Sequence, residues 1–365
     1  MRAALLEAVG QPFTVVADVD LAPPEAGEVD VRVTHCGLCH SDLHYQDGNL
    51  TGPLPMVLGH EATGVVERLG AGVTGLAEGD RVVLTMRPSC GRCYWCVRGE
   101  VQLCPVGAAM LGGSYADGGT RLSRGGETVY RGLVLSAFAE RTVVPEAAAV
   151  RIDDDVPPGI AAVLGCAVQT GVGAVLNTAA VEPGATVMVI GLGGVGTSIV
   201  QGARIAGAGR IVGVDTSAAR REQALGLGAT DVVDPAETPA DKAAKALTGG
   251  IGVDYGFDAV GRAAVTETLL KATRAGGTVV MVGVPPTGED VTVRGLIHNV
   301  AEKKLVGCYL GSANPRYEFG RLIGLWRSGR LDLAGTVTGT RPLAEINEAV
   351  ADMRAGRGLR TVLTP

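Results

Sequence analysis

Charge is scarce in this chain of 365 residues: 19% are Asp, Glu, Lys or Arg, with 38 acidic against 32 basic and a formal net charge of −6. No block of Lys and Arg stands out, which excludes nucleic acid and anionic membrane surfaces as evident partners. With 46% hydrophobic residues, the low charge also excludes an intrinsically disordered chain. No apolar run reads as reaching the ~18 residues of a membrane span. The N-terminus carries Glu7 and lacks a long apolar core, so it does not read as a signal peptide. Eight cysteines are too few for a disulfide scaffold of this length, and the expected compartment is the cytoplasm. The 55 glycines follow no Gly-X-Y period, so collagen is ruled out. Neither an internal repeat nor a low-complexity tract is visible.

What is present points to two domains, since a domain takes roughly 100–200 residues. Up to about residue 150, short valine-rich runs are broken by glycine and proline. Val29-Asp-Val-Arg-Val33 alternates apolar and polar as a half-buried strand does, and Gly64–Glu67 and Arg81–Leu84 are similar. Near Pro157-Pro158 the rhythm changes to strand candidates at Thr186–Ile190, Ile211–Val214, Tyr255–Ala259, Thr278–Val282 and Leu305–Tyr309, separated by helical stretches. Alternating strand and helix predicts a parallel, doubly wound sheet, so the fold class is α/β with a second, mostly β domain. The expected division is 1–167 with 310–365, and 168–309, the strand-like Arg360–Leu363 returning to the first domain.

Three constellations carry chemistry. Cys90, Cys93, Cys96 and Cys104 fall within fifteen residues of a loop rich in Gly and Arg. Four thiolates complete a tetrahedral shell, the arrangement of a structural zinc that leaves no place for substrate. Arg87, Arg92 and Arg98 are expected to offset its charge. An iron–sulfur cluster, with Cys104-Pro105 mimicking the ferredoxin ending, and a set of redox thiols are the competing readings.

The second constellation is dispersed over Cys39-His-Ser-Asp-Leu-His44, Gly59-His60-Glu61 and Gly165-Cys166. Two thiolates and an imidazole make an open shell whose fourth position takes water or substrate. Singly, Cys166 reads as a small core residue and His60 as a surface or hydrogen-bonded histidine. Spacing alone does not bring the three together.

The third is Gly191-Leu-Gly193-Gly194-Val195-Gly196, which follows a strand and opens a helix, with Asp215 ending the next strand nineteen residues past Gly196. That is the dinucleotide fingerprint in its required context. Gly191 permits the turn, Gly193 lets the pyrophosphate approach, and Gly196 allows helix–strand packing. Free N–H groups at the helix start face the phosphates. Asp215 accepts from the ribose hydroxyls and repels a 2′-phosphate, favouring NAD over NADP.

In this order, the three resemble the zinc-dependent medium-chain dehydrogenase/reductase family, whose central members are zinc alcohol dehydrogenases. Gly59-His60-Glu61-Ala-Thr-Gly64-Val-Val-Glu67 is among its most specific signatures. The resemblance spans essentially the whole chain and implies a GroES-like catalytic domain beside a Rossmann domain, with two zincs per subunit and NAD. It assigns the catalytic zinc to Cys39, His60 and Cys166; the Cys₂His set is itself the standard alcohol dehydrogenase example. By the same resemblance, Asp42 orients the histidine ligand and Glu61 approaches the metal during ligand exchange. Ser41 and His44 form the proton relay. Thr170 and Val195 lie toward the nicotinamide, Val282 elsewhere in the cofactor site, Gly194 at the pyrophosphate turn and Arg220 near the ribose. His40 and Arg360 contact the pyrophosphate. His40 stands where the animal enzymes carry arginine, a departure expected to loosen the hold on NAD.

Leu50 and Met86 align with substrate-pocket positions, and the pocket-side run Gly132–Leu135 lacks aromatics. The stretch from about Gly107 to Arg131 is similar to the longer, dimeric branch, so a homodimer is expected. The implied substrate is a primary or secondary alcohol, or its aldehyde or ketone. Three alternatives stand beside it: a dehydrogenase of formaldehyde adducts with glutathione or mycothiol, a specialised-metabolism carbonyl reductase, and a zinc- and NAD-binding protein without turnover.

Overall fold

The alternating run at Val29–Val33 is the middle of a ten-residue strand, Glu28–Gly37, in the computed structural model, which describes all 365 residues. Val29, Val31 and Val33 point into the core and Arg32 is exposed. Asp30 breaks the pattern. The alternation assigns it to solvent, yet it is fully buried, because the guanidinium groups of Arg68 and Arg141 cover its carboxylate.

By packing, the chain divides into two compact units. One comprises Met1–Cys166, Asn314–Gly324 and Leu333–Pro365, and the other Ala167–Ala313 and Leu325–Asp332. The main sheet of the first unit runs Ala149–Arg151, Arg81–Leu84, Glu61–Leu69, Glu28–Gly37, Thr361–Thr364, Gly339–Pro342, with Arg141–Pro145 also on Glu28–Gly37. The C-terminal strand pairs antiparallel with the end of Glu28–Gly37, Val362 opposite Gly37 and Leu363 opposite Cys36. This register sets Arg360 beside the turn that follows Gly37. A smaller sheet pairs Tyr130–Arg131 with Met56–Val57, just ahead of His60.

The second unit holds six parallel strands, in the order Asp231–Val233, Arg210–Val214, Thr186–Ile190, Val253–Asp258, Thr273–Met281, Lys304–Gly307. Numbered along the chain this is 3-2-1-4-5-6, the Rossmann order, which opens a crevice at the carboxyl ends of the first and fourth strands. Its core joins Met188, Val212, Val214, Val253 and Val279 to Ala240, Ala244, Leu269 and Ala272 of the covering helices. The strands begin earlier than the sequence patterns suggest at residues 210, 253, 273 and 304. Ladder bonding carries polar and glycine residues that periodicity passes over.

One expectation is corrected. The helical stretch Pro158–Thr178 is long and apolar enough to cross a membrane by length and composition. Its most apolar window is 89% buried inside the protein, so the protein's own packing covers it rather than lipid. Scattered Gly, Gln and Thr hid the run. Within it, Leu164–Val168 widens to a π turn that carries Cys166. Such turns recur at functional sites.

Candidate active site

Cys39 caps the helix His40–Gln46, and Asp42, at the third helical position, is fully buried beneath it. The Asp42 carboxylate accepts from Cys39 N at 3.1 Å, Gly59 N at 3.1 Å and His60 Nδ1 at 3.0 Å. One side chain thereby fixes two segments seventeen or more residues apart and sets the histidine tautomer. With Nδ1 donating to Asp42, the Nε2 lone pair is free. That atom is buried and has no hydrogen-bond partner. Donor atoms of Cys39, His60, Glu61 and Cys166 all lie within 4.8 Å of one another.

Two sulfurs and an imidazole nitrogen, with a carboxylate at hand, suit zinc by softness and number. An orphaned Nε2 among them is the vacancy in hydrogen bonding that a metal would fill. The charges are organised to match. A hydrogen bond from Cys166 holds the Cys39 thiol well below its usual range, aided by Arg360 and His60 against the effect of burial. Cys166, the donor of that pair, is pushed up.

Glu61 is the least expected group. Burial pushes its carboxyl up to about 8, and neither oxygen has a hydrogen bond. Glycine at residue 37 leaves room for it in this position: a Cβ there would sit 2.4 Å from Glu61 Oε2 and 3.1 Å from Glu61 Cβ. Arg360 Nη1 lies 3.4 Å from Glu61 Oε1 and donates to Leu38 O at 2.7 Å. Arg360, nearly wholly buried, thus meets the Glu61 carboxylate, a pairing that its reading as a pyrophosphate contact does not include. Ser41 Oγ is 3.8 Å from Cys39 Sγ. His44 is half-buried on the same helix, with Asn49 Nδ2 at 3.2 Å from its Nδ1. Leu50, half-buried, follows directly, its N–H bonding to His44 O at 3.0 Å. Met86 is buried after the strand Arg81–Leu84, and His40 is exposed at the helix start.

The Cys90, Cys93, Cys96 and Cys104 donors also lie within 4.8 Å of one another. Cys93 Sγ is 3.5 Å from Cys96 Sγ and 3.9 Å from Cys104 Sγ. Backbone N–H groups of Arg92 and Cys93 bring the Cys90 thiol down to about 6, readying it as a thiolate ligand. Two of the three arginines expected to offset the charge are engaged with other groups. Arg87 donates to the carbonyls of Gln102 and Cys104, and Arg98 pairs with Glu100. They brace the loop, and its backbone amides take over the anion stabilisation.

In the second unit, the glycine turn divides its labour by position. Gly191 has φ +92°. Nothing lies within 4 Å of where a Gly193 Cβ would be, an open cradle, whereas a Gly196 Cβ would sit 1.7 Å from Gly191 O. Gly194 and Val195 begin the helix Gly194–Ala206. Thr170 is buried, its hydroxyl without a partner, and a Cβ on neighbouring Gly171 would meet Val195 O at 2.6 Å. Val282 donates to Asp258 O at 3.0 Å. Asp215 accepts from Leu192 N and Ser217 N, both at 2.8 Å, with Arg220 Nη1 at 3.8 Å.

Two residues escaped sequence reasoning here. Arg221 donates to Asp215 O and Thr216 O, and Asp258 accepts from Val260 N, Gly261 N and Thr266 Oγ1. A carboxylate closing a parallel strand ahead of a glycine was the signal for Asp258.

Comparison with known proteins decides the family. The family profile for the alcohol dehydrogenase GroES-like domain matches residues 25–154, and that for zinc-binding dehydrogenases matches residues 194–326. The chain is 39% identical to an NDMA-dependent alcohol dehydrogenase of Amycolatopsis methanolica over 99% of this chain and 98% of that one. The chain belongs to the zinc-dependent medium-chain dehydrogenase/reductase family. Membership in that family makes it an oxidoreductase and accounts for the mixed fold of a GroES-like domain with a Rossmann-like parallel sheet. An S-(hydroxymethyl)glutathione dehydrogenase of Synechocystis is 38% identical, covering 99% of both chains. A crystal structure of benzyl alcohol dehydrogenase from Acinetobacter calcoaceticus is similar with TM-score 0.94 and 31% identity, covering all of this chain and 98% of that one.

Proposed function

We propose that this protein is an NAD-dependent zinc alcohol dehydrogenase, interconverting a primary or secondary alcohol with its aldehyde or ketone. The observation that carries the reading is His60, its Nδ1 engaged by Asp42 and its buried Nε2 unpartnered beside the Cys39 and Cys166 sulfurs. Cys39, His60 and Cys166 would hold a catalytic zinc, which supplies Lewis acidity that lowers the pKa of an alcohol hydroxyl. Cys90, Cys93, Cys96 and Cys104 would hold a second, structural zinc in a closed shell.

The chain's own residues account for the rest. Asp42 keeps His60 in one tautomer and raises its basicity as a ligand. Glu61, uncompensated except by Arg360, is available to the metal while ligands exchange. Ser41 and His44 lie three apart on one helix and so share a face. The serine hydroxyl takes the alcohol proton as it gives up its own, and the histidine passes that proton to solvent; Asn49 Nδ2 lies against His44 Nδ1 and orients the ring.

In the 168–309 domain, Gly191, Gly193, Gly194 and Gly196 would cradle the NAD pyrophosphate. Thr170 and Val195 would face the nicotinamide, Val282 would line the cofactor site, and the charge of Asp215 disfavours a 2′-phosphate. So held, the nicotinamide would supply the hydride acceptor. We assign homodimerisation to the edge strand Lys304–Gly307 and to the preceding helix, where Leu296, Ile297 and Val300 are exposed. All eight cysteines are free of disulfides, in keeping with a cytoplasmic setting.

A second reading, oxidation of a formaldehyde–thiol adduct, draws support from the Synechocystis relative. Leu50 is apolar where glutathione-adduct enzymes tend to carry an acid, which favours the plain alcohol. NADH formation across a panel of alcohols, with and without glutathione or mycothiol, separates them. Turnover of free alcohols that Ser41→Ala largely abolishes, with zinc retained, is the expected result. Turnover only of formaldehyde with a thiol would replace the first reading by the second.

A further inference from the structure

Arg131 is 1% exposed, and its hydrogen bonds go to carbonyls and one hydroxyl rather than to a carboxylate. Nε donates to Val134 O at 2.9 Å and Nη1 to Thr120 O at 3.1 Å. Nη2 reaches Leu135 O at 3.3 Å, Thr142 Oγ1 at 3.2 Å and Val143 O at 2.8 Å. The Tyr115 ring lies 4.7 Å from the guanidinium carbon. A buried cation with such partners is costly to keep unless it organises something.

What it organises is a strained segment. Leu133, Val134 and Ser136 have φ of 48°, 73° and 53°. Branched side chains rarely adopt left-handed backbone, and the surroundings must over-determine it. Here the carbonyls of Val134 and Leu135 are held by Arg131, and Thr142 Oγ1 donates to Leu135 O as well. The segment in turn grips the chain ahead of His60. Gly132 N donates to Val57 O at 2.7 Å, Phe138 N to Leu58 O at 2.9 Å and Ala137 N to Gly59 O at 3.0 Å. A Cβ on Gly59 would lie 2.5 Å from Phe138 N. Asp42 holds Gly59 from one side, and this segment holds it from the other.

We propose that Arg131 is a positioning residue for His60, locking Leu133, Val134 and Ser136 in left-handed backbone so that Leu58–Gly59 aims the imidazole at the Cys39 and Cys166 sulfurs. The inference rests on reading His60 as a zinc ligand. Strain at Val134 makes it separable from ordinary core packing, because glycine adopts positive φ without restraint.

The experiment follows zinc release from the full-length, zinc-loaded protein to a chelator, resolving the open and four-cysteine sites as separate phases. Cobalt spectra of the open site report its geometry. Arg131→Lys is expected to speed release from the open site by about 10-fold or more, as loss of supporting contacts around a metal does. The four-cysteine phase stays unchanged and the cobalt bands shift. Adding Val134→Gly to Arg131→Lys is expected to return both readouts most of the way to wild type. Thr142→Val, a milder change that removes one hydroxyl of the clamp, is expected to accelerate the open site alone, by less. Equal release from wild type and both single variants, acceleration of both phases together, or no rescue by glycine would overturn the proposal. A wild-type protein holding zinc only in the four-cysteine loop would overturn the reading of His60 itself.

Discussion

The loop of Cys90, Cys93, Cys96 and Cys104 and the cluster of Cys39, His60, Glu61 and Cys166 both bring their donors within 4.8 Å, by opposite routes. The loop does it locally: three of its four cysteines are half-buried, and backbone amides two and three residues away bring the Cys90 thiol down. The dispersed cluster is wholly buried and depends on Asp42, Gly37 and Arg360, residues that are not in the donor set themselves. A closed shell needs a tight loop. An open one needs a framework that keeps a carboxylate and an imidazole in place without letting them collapse onto each other.

The sharpest break between the two is expected from single ligand losses. Cys166→Ser abolishes alcohol turnover while circular dichroism and melting temperature change little. Cys93→Ser lowers the melting temperature and zinc content, with turnover per folded molecule retained. If Cys93→Ser abolished turnover in folded protein, the division of labour would fail.

Asp42→Ala comes next. It removes the partner of His60 Nδ1 and leaves Cys39 N and Gly59 N unpaired, at about 1–3 kcal/mol for each buried group. Zinc affinity at the open site falls about 10–100-fold, with the loop's zinc untouched, by isothermal or competitive metal titration. Equal weakening of both sites would mean that Asp42 serves the fold in general.

The contrast also explains what could be read from the chain. The four cysteines and Gly191–Gly196 were legible because their chemistry is contiguous, and the alternation of strand and helix announced the parallel sheet. The dispersed ligands required the resemblance, since no spacing rule joins residue 39 to residue 166. Arg131 and Arg221 do their work through backbone groups brought up by folding, so nothing in a linear pattern marks them; Arg360 is singled out by the resemblance, but its pairing with Glu61 is not. The buried helix at Pro158–Thr178 was missed because its glycines and amides masked its apolarity.

A smaller effect tests whether the dinucleotide unit is independent of both metal sites. Asp215→Gly removes a carboxylate whose oxygens take Leu192 N and Ser217 N. The ratio of kcat/KM for NAD over NADP is expected to fall by about 10-fold or more, a ribose-binding acid being the main discriminator. Zinc content is expected to stay at the wild-type value. A wild-type preference for NADP would reverse the assignment of Asp215.

The decisive measurement is zinc content against NADH formation during mild chelation. The buried, open cluster is expected to lose about one equivalent of zinc first, its fourth position giving a chelator entry. Alcohol turnover should fall in proportion while the circular dichroism spectrum holds, and should return on adding zinc. Loss of the first equivalent with full turnover retained would contradict the assignment of catalysis to Cys39, His60 and Cys166.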